Sequence, residues 1–221
     1  MTLKSLDGLK IRIVDIGQKM LSYLFGSTSR TAEYRFVFEN LPEVQSNILD
    51  IGCSSSLLSI KLAKAGHNVV GIDTRRYLER HANFNYVHGD ITAAPFIDNY
   101  FDVVTAVSTI EHIGLGAYGD PIIADADFKS MSEIRRILRP GGKLIVTTPF
   151  AGKYGLANWQ GMQERYYDMT TLKELLKGFR TEVEKFFIGK SLYNWVDATI
   201  EEAVRPDLKW HANIALLLTK Q

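Results

Sequence analysis

The sequence is poor in cysteine, in net charge and in long apolar runs. It holds one cysteine, Cys53, in 221 residues. A disulfide framework is therefore excluded, and so is a structural zinc site built on cysteine pairs. Lysine and arginine number 26 against 25 aspartate and glutamate, for a formal net charge of +1. That balance argues against bulk electrostatic binding to nucleic acid or to an anionic membrane. No apolar stretch approaches the roughly 20 residues that span a bilayer. The best run, Ile214 to Leu218, is far shorter. Near the first residue, Lys4, Asp7, Lys10 and Arg12 interrupt the apolar positions, so no signal-peptide core is present. The expectation is a soluble, reduced, cytoplasmic protein.

What is there is an ordinary globular mix, 46% hydrophobic with 23% charged residues, long enough for a sizeable single core. Two periodicities alternate. Short apolar runs predict buried strands at Ile48–Ile51, Val69–Ile72, Phe84–Val87, Phe101–Val107, Lys143–Thr148, Val183–Ile188 and Ile214–Thr219. Helical patterns lie between most of them. One is Leu57–Ala65. Another carries Phe128, Met131, Ile134 and Leu138 three to four apart, on one helix face. Arg139-Pro140-Gly141-Gly142 stops that helix. Continuous apolar strands alternating with helices indicate an α/β fold with a parallel sheet covered on both faces. One domain is expected: a helical N-terminal cap over 1–41, with Tyr34, Phe36, Val37 and Leu41 as its apolar members, a binding core over 42–149, and a C-terminal half over 150–221 with a cap loop and the last strands.

The most informative stretch is Asn47-Ile-Leu-Asp-Ile-Gly-Cys-Ser-Ser-Ser-Leu-Leu. An apolar strand, a small-residue turn and a helix start let a ligand approach the backbone closely. The second strand ends at Asp73, 21 positions after Gly52, where an acid can accept both hydroxyls of a ribose. The third ends at Gly89-Asp90-Ile91, a carboxylate and an apolar side chain suited to the edge and face of an adenine. The fourth, opening at Phe101-Asp102-Val103-Val104, runs into Ser108-Thr109-Ile110-Glu111-His112-Ile113. Asp102 reads as a residue that fixes the start of its strand.

In their order and spacing, Leu49-Asp-Ile-Gly-Cys53, Gly71-Ile-Asp73, Gly89-Asp-Ile91, Phe101-Asp-Val-Val104, Glu111-His-Ile113 and Leu138-Arg-Pro-Gly-Gly-Lys-Leu144 resemble the class I S-adenosylmethionine-dependent methyltransferases over about residues 45–150. The stretch Ser108–Pro121 also resembles a subgroup linked to polysaccharide or secondary-metabolite modification. The resemblance implies a Rossmann-like, seven-stranded, mostly parallel sheet with an antiparallel last strand. It implies S-adenosylmethionine as cofactor, S-adenosylhomocysteine as product, no metal, and a small-molecule methyl acceptor as partner. By position, Asp50, Gly52, Cys53 and Ser54 would border the methionine moiety, Asp73 would hold the ribose with Thr74 beside it, and Asp90 and Ile91 would frame adenine. Ser108 would sit near the methionine amino group, and His112 near the sulfonium. The sequence departs from the family turn at Ser54 and Ser56, where glycines are usual. A serine at positive φ costs on the order of 1 kcal/mol, so strain or a different turn is expected.

His112 and Glu111 leave the fourth strand beside the expected methyl position, and an imidazole can take a proton from a hydroxyl or amine. Asp120 is a reserve base. Asp125 or Asp127 reads as a helix N-cap ahead of Phe128. Tyr154, Trp159, Tyr166 and Tyr167 offer flat faces for a sugar or ring acceptor, and Arg165 a charge for a carboxylate or phosphate. Plain packing of a cap is the alternative reading for this set. Two other functions fit the same pattern less well: a nicotinamide-dependent oxidoreductase, which lacks its Gly-x-Gly-x-x-Gly turn and Tyr-x-x-x-Lys pair here, and a non-catalytic sensor or scaffold that binds the same cofactor.

Overall fold

The computed structural model describes residues 28–159, 161–208 and 210–221, with all their side chains except those of Ser55 and Trp159. Most of the expected N-terminal cap, residues 1–27, lies outside the described residues. Its described part is helix α1 (Ser29–Glu39), started by Thr28, whose hydroxyl accepts the Thr31 N–H. Ala32, Glu33, Phe36 and Val37 form its buried stripe, a helical spacing with one charged member.

The chain then alternates as its periodicity predicts. β1 (Asn47–Ile51), α2 (Leu58–Lys64), β2 (Asn68–Asp73), β3 (Phe84–His88), β4 (Phe101–Val107), α3 (Ala126–Ile137) and β5 (Leu138–Phe150) make the first half. β6 (Gly155–Trp159), β7 (Met162–Tyr166), α4 (Met169–Leu175), β8 (Phe179–Ser191), β9 (Asn194–Ala198), α5 (Ile200–Ala203) and β10 (Ala212–Lys220) complete it. The main sheet has the order β3-β2-β1-β4-β5-β10-β8-β9. Neighbours from β3 to β5 are parallel, and β10 is antiparallel to both β5 and β8. The expected seven strands with an antiparallel last strand are all present. β9 adds an eighth at the edge, antiparallel to β8.

Adjacent strand residues feed opposite faces of the sheet. Leu49, Val104, Leu144, Val146, Leu216 and Leu218 pack in one cluster with Ile134 of α3 and Leu172 of α4. Ile48, Val103, Ile145, Ala215 and Leu217 pack in the other with Phe36 of α1 and Leu62 of α2. Both faces are dry, which is why these strands read as unbroken apolar runs.

Three expectations about α3 change: Leu138, placed on its apolar face, instead opens β5, which also contains Arg139-Pro140-Gly141-Gly142, since the helix ends at Ile137. Phe128 was placed on its apolar face, yet it is 40% exposed. Ser130, Met131, Ile134 and Ile137 form the buried face instead. Asp125 occupies the N-cap position in a left-handed conformation without a side-chain capping bond. Asp127 is not a cap either; it is buried against Arg165 and Tyr167. Asp102 does what the sequence suggests: its carboxylate accepts the Asn47 N–H at 2.7 Å and pairs with Arg139 at 3.0 Å, tying β4 to the start of β1.

The strand order reverses between β1 and β4: β2 flanks β1 on one side and β4 on the other. A crevice at the carboxyl ends of such strands is where open α/β sheets bind ligands. The register sets those ends level, with Ile51 opposite Ile72 and Ala106, and Asp73 opposite His88.

Candidate active site

The turn after β1 holds the crevice floor. Gly52 lies at φ +74°, and its N–H donates to the Ile72 carbonyl at 2.9 Å. A Cβ there would lie 2.6 Å from the Thr109 side chain, so glycine is needed for both conformation and space. Cys53–Ser55 form a short 3-10 turn and Ser56 is extended at φ −140°. Neither Ser54 nor Ser56 is among the residues at positive φ. The strain expected from the glycine replacements is absent because the turn takes another path. Ser54 donates its N–H to Asp73 Oδ2 at 2.9 Å and its hydroxyl to the Arg75 carbonyl at 2.7 Å. The Ser56 hydroxyl accepts the Leu58 N–H at the start of α2.

Asp73 ends β2 and also accepts the Arg75 N–H at 2.8 Å, with Arg75 Nε at 3.4 Å. At the end of β3, Asp90 accepts the Thr92 N–H and starts a 3-10 turn that buries Ile91. Ser108 follows β4 in the left-handed region, at φ +46°. Its N–H donates to Thr147 of β5 at 3.0 Å. Its hydroxyl donates to Glu33 of α1.

Gly52, Asp73, Thr74, Asp90, Ile91, Ser108, His112 and Asp120 thus line one cleft of about 790 Å³, part of it open to solvent. Eight of the twelve residues expected to bind cofactor or act as acid or base are brought together there. The other four sit below or beside it. Asp50 is buried under the turn, accepting the hydroxyls of Ser59 at 2.6 Å and Thr105 at 2.8 Å. Burial pushes its pKa up to about 6, against the pull of those two bonds. Cys53 is buried, and a Cβ on Gly71 would meet its sulfur at 2.8 Å. Burial, with Asp50 and Asp73 nearby, pushes its thiol up, as suits an inert filler. Ser54 is spent on Asp73 and Arg75.

Glu111 is 1% exposed behind His112. Burial holds its carboxyl well above the usual range, and the carboxylates of Glu33 and Glu164 push the same way. His112 Nδ1 lies 3.0 Å from the Gln163 carbonyl. A carbonyl only accepts, so Nδ1 carries the proton and Nε2 is the basic nitrogen. Nε2 faces Glu164 at 3.9 Å and Glu111 at 4.0 Å, both beyond hydrogen-bond reach.

Tyr154, Arg165, Tyr166 and Tyr167 are not among the residues that line the cleft. Arg165 is buried, paired with Asp127 at 3.3 Å and donating to the Glu111 and Ile113 carbonyls. Tyr166 donates its hydroxyl to Glu164 at 2.8 Å. Tyr167 is fully buried and donates to Asp127. Tyr154 is 40% exposed and its ring lies 6.0 Å from that of Tyr167. Trp159 ends β6, and its side chain lies outside what is described.

Sequence reasoning missed Arg30, Tyr118, Glu33 and Glu164. Arg30 and Tyr118 line the cleft, and the Arg75 guanidinium stacks 4.0 Å from the Tyr118 ring centre, joining the two rims. A signal existed for Glu33: it is a charged residue at a core position of an amphipathic helix. None existed for Glu164, which faces His112 from some fifty residues further along the chain.

Residues 49–146 match the family described as a methyltransferase domain. A demethylmenaquinone methyltransferase of Beutenbergia cavernae is 27% identical over 176 residues, covering 74% of this chain and 65% of that protein. A ubiquinone biosynthesis O-methyltransferase of Coxiella burnetii is 28% identical over 123 residues, or 52% and 48% of the two chains. The chain therefore spans less than two thirds of these curated relatives. In fold it is similar to a Burkholderia thailandensis 1,6-didemethyltoxoflavin-N1-methyltransferase solved with its acceptor and S-adenosylhomocysteine, at TM-score 0.66 and 16% identity over 98% of this chain and 87% of that one. The family match covers less than half of the chain, and the likeness to the solved structure is one of fold. No helix among the described residues is long and apolar enough to cross a membrane.

Proposed function

We propose that this protein transfers a methyl group from S-adenosylmethionine to a hydroxyl or amine of a small-molecule acceptor. The observation that carries the reading is the convergence on one cleft of Gly52, Asp73, Asp90 with Ile91, and Ser108 with His112. Bound S-adenosylmethionine supplies a methyl carbon already activated by a positively charged sulfur. The residues present suit that group. Asp73 holds the Arg75 guanidinium only at 3.4 and 3.5 Å, and a ribose diol would take the place of those two long contacts. Ile72 and Ile91 offer apolar faces to a purine, with the Asp90 carboxylate beside them. At the end of β4, Arg30 and Ser108 suit a carboxylate and an amino group.

The chain's own work is orientation, exclusion of water and handling of one proton. His112 is held by the Gln163 carbonyl so that Nε2 can take the acceptor's proton. The nearby Glu164 carboxylate then stabilises the imidazolium. Asp120, on the same cleft wall, is the reserve base, and Glu111 acts only through His112. The two curated relatives are named for quinone biosynthesis, and the structural relative for a toxoflavin precursor. Planar ring acceptors therefore join saccharide hydroxyls in this reading. The test is methyl transfer from labelled S-adenosylmethionine into a panel of ring phenols, heteroaromatic amines and saccharides. A methylated product is expected. His112→Ala should lower turnover by about 10²-fold or more while S-adenosylhomocysteine affinity by calorimetry stays within a few-fold. Unchanged turnover would remove His112 from the mechanism. Binding without turnover across the panel would favour a sensor, and no binding at all would overturn the reading.

A further inference from the structure

Glu33 lies outside the matched domain segment and is not among the residues lining the cleft, yet both of its carboxylate oxygens are engaged next to it. It is 1% exposed. Its Oε1 accepts from three elements at once: the Ser108 hydroxyl after β4 at 2.5 Å, the Thr147 hydroxyl of β5 at 2.9 Å and the Asn213 amide of β10 at 3.0 Å. Its Oε2 faces Arg30 Nη1 at 3.5 Å, one helical turn back on α1. The same Arg30 nitrogen donates to the Val107 carbonyl at 3.2 Å. Burying a carboxylate is costly, and an apolar residue at this stripe position would pack α1 against the sheet without that cost. What an apolar residue could not do is hold two cleft residues in place.

Both cleft residues need holding. Ser108 is a non-glycine residue at φ +46°, a conformation that persists only where surroundings impose it. Arg30 carries a long flexible side chain that must be aimed. Resting on the methyl-donor reading above, we propose that Glu33 is a positioning residue for the amino-acid end of the donor. It aims the Arg30 guanidinium at the donor's carboxylate and locks Ser108 beside the donor's amino group. α1 is then part of the binding site, not only a cover for one face of the sheet.

The test separates the two ends of the ligand. S-adenosylhomocysteine and 5′-methylthioadenosine share the adenosyl thioether, and only the first has the amino-acid group. By titration calorimetry, Glu33→Gln should weaken S-adenosylhomocysteine tenfold or more while 5′-methylthioadenosine stays within about twofold. Arg30→Ala should show the same selectivity, and the double variant should be no weaker than Arg30→Ala alone, as expected of residues acting as a unit. Equal losses for both ligands, or no loss for either, would overturn the proposal. If Glu33→Gln does not fold, Ser108→Ala removes the hydroxyl that Glu33 holds and carries the same expectation and the same overturning result. Failure of the wild-type protein to bind either ligand would instead overturn the methyl-donor reading itself.

Discussion

Asp50 shows how burial and hydrogen bonding compete at a single residue. Desolvation raises its pKa from 3.8 to about 6, although two hydroxyls donate to its carboxylate. The folded state therefore holds the Asp50 proton more tightly than the unfolded chain does. The stability this confers is fully present below about pH 3.8 and is lost as pH rises through 6. It amounts to about 3 kcal/mol, with about 2 kcal/mol of it between pH 4.5 and 7.5. Asp50→Asn lacks this dependence. Urea denaturation at those two pH values should show the variant gaining about 2 kcal/mol on the wild type as pH rises. A constant difference would mean that Asp50 titrates alike in both states. Asp50, Asp73 and Asp102 were legible in the sequence because each ends or begins an apolar strand. Arg30 was not, because its carbonyl partner on β4 lies 77 positions away, and Glu33 showed only as a charge on a helical stripe, its hydroxyl and amide partners lying 75 to 180 positions away.

β7 is the element whose role the sequence concealed. It carries Met-Gln-Glu-Arg-Tyr, with no apolar alternation, yet Glu164 and Arg165 are both buried. The strand clamps the loop after β4: the Gln163 carbonyl holds His112, Glu164 faces it, and Arg165 donates to the carbonyls of Glu111 and Ile113. Arg165 also neutralises Asp127, and the two side chains are only 6% and 4% exposed. Arg165→Ala would leave Asp127 with the Tyr167 hydroxyl alone. The expected cost is about 3–5 kcal/mol, a fall in Tm of roughly 10 °C by thermal unfolding. Adding Asp127→Asn should recover much of it, since the uncompensated charge is then gone. A fall below about 1 kcal/mol would show that water reaches Asp127 and that the clamp carries little. The seven strands of the main sheet that the sequence predicts are those with apolar character on both faces. β6 and β7 are five residues each and pair with one another in a two-stranded sheet, while β9, equally short, puts Trp195 and Val196 on the two faces at the edge of the main sheet.

For the whole molecule, ligand binding and folding are linked. A ligand that binds only the folded state at a hundredfold excess over its Kd adds about 2.7 kcal/mol. S-adenosylhomocysteine should accordingly raise Tm by roughly 5–10 °C in a thermal scan, and NAD should leave it in place. The reverse pattern would point to the oxidoreductase reading. The sequence by itself determined the α/β class, the positions along the chain of the sheet's seven apolar strands, and the placing of Gly52, Asp73 and Asp90 at or just past the ends of the first three. Local apolar periodicity and strand-end spacing encode those features within short windows. Only the tertiary structure decided that Arg165 is buried against Asp127 and that Ser54 donates to Asp73. It also decided that α1 reaches the cleft through Arg30 and Glu33. Those outcomes depend on which distant donor meets which buried charge, and a buried charge is satisfied by the partner that folding brings to it, whatever the separation along the chain.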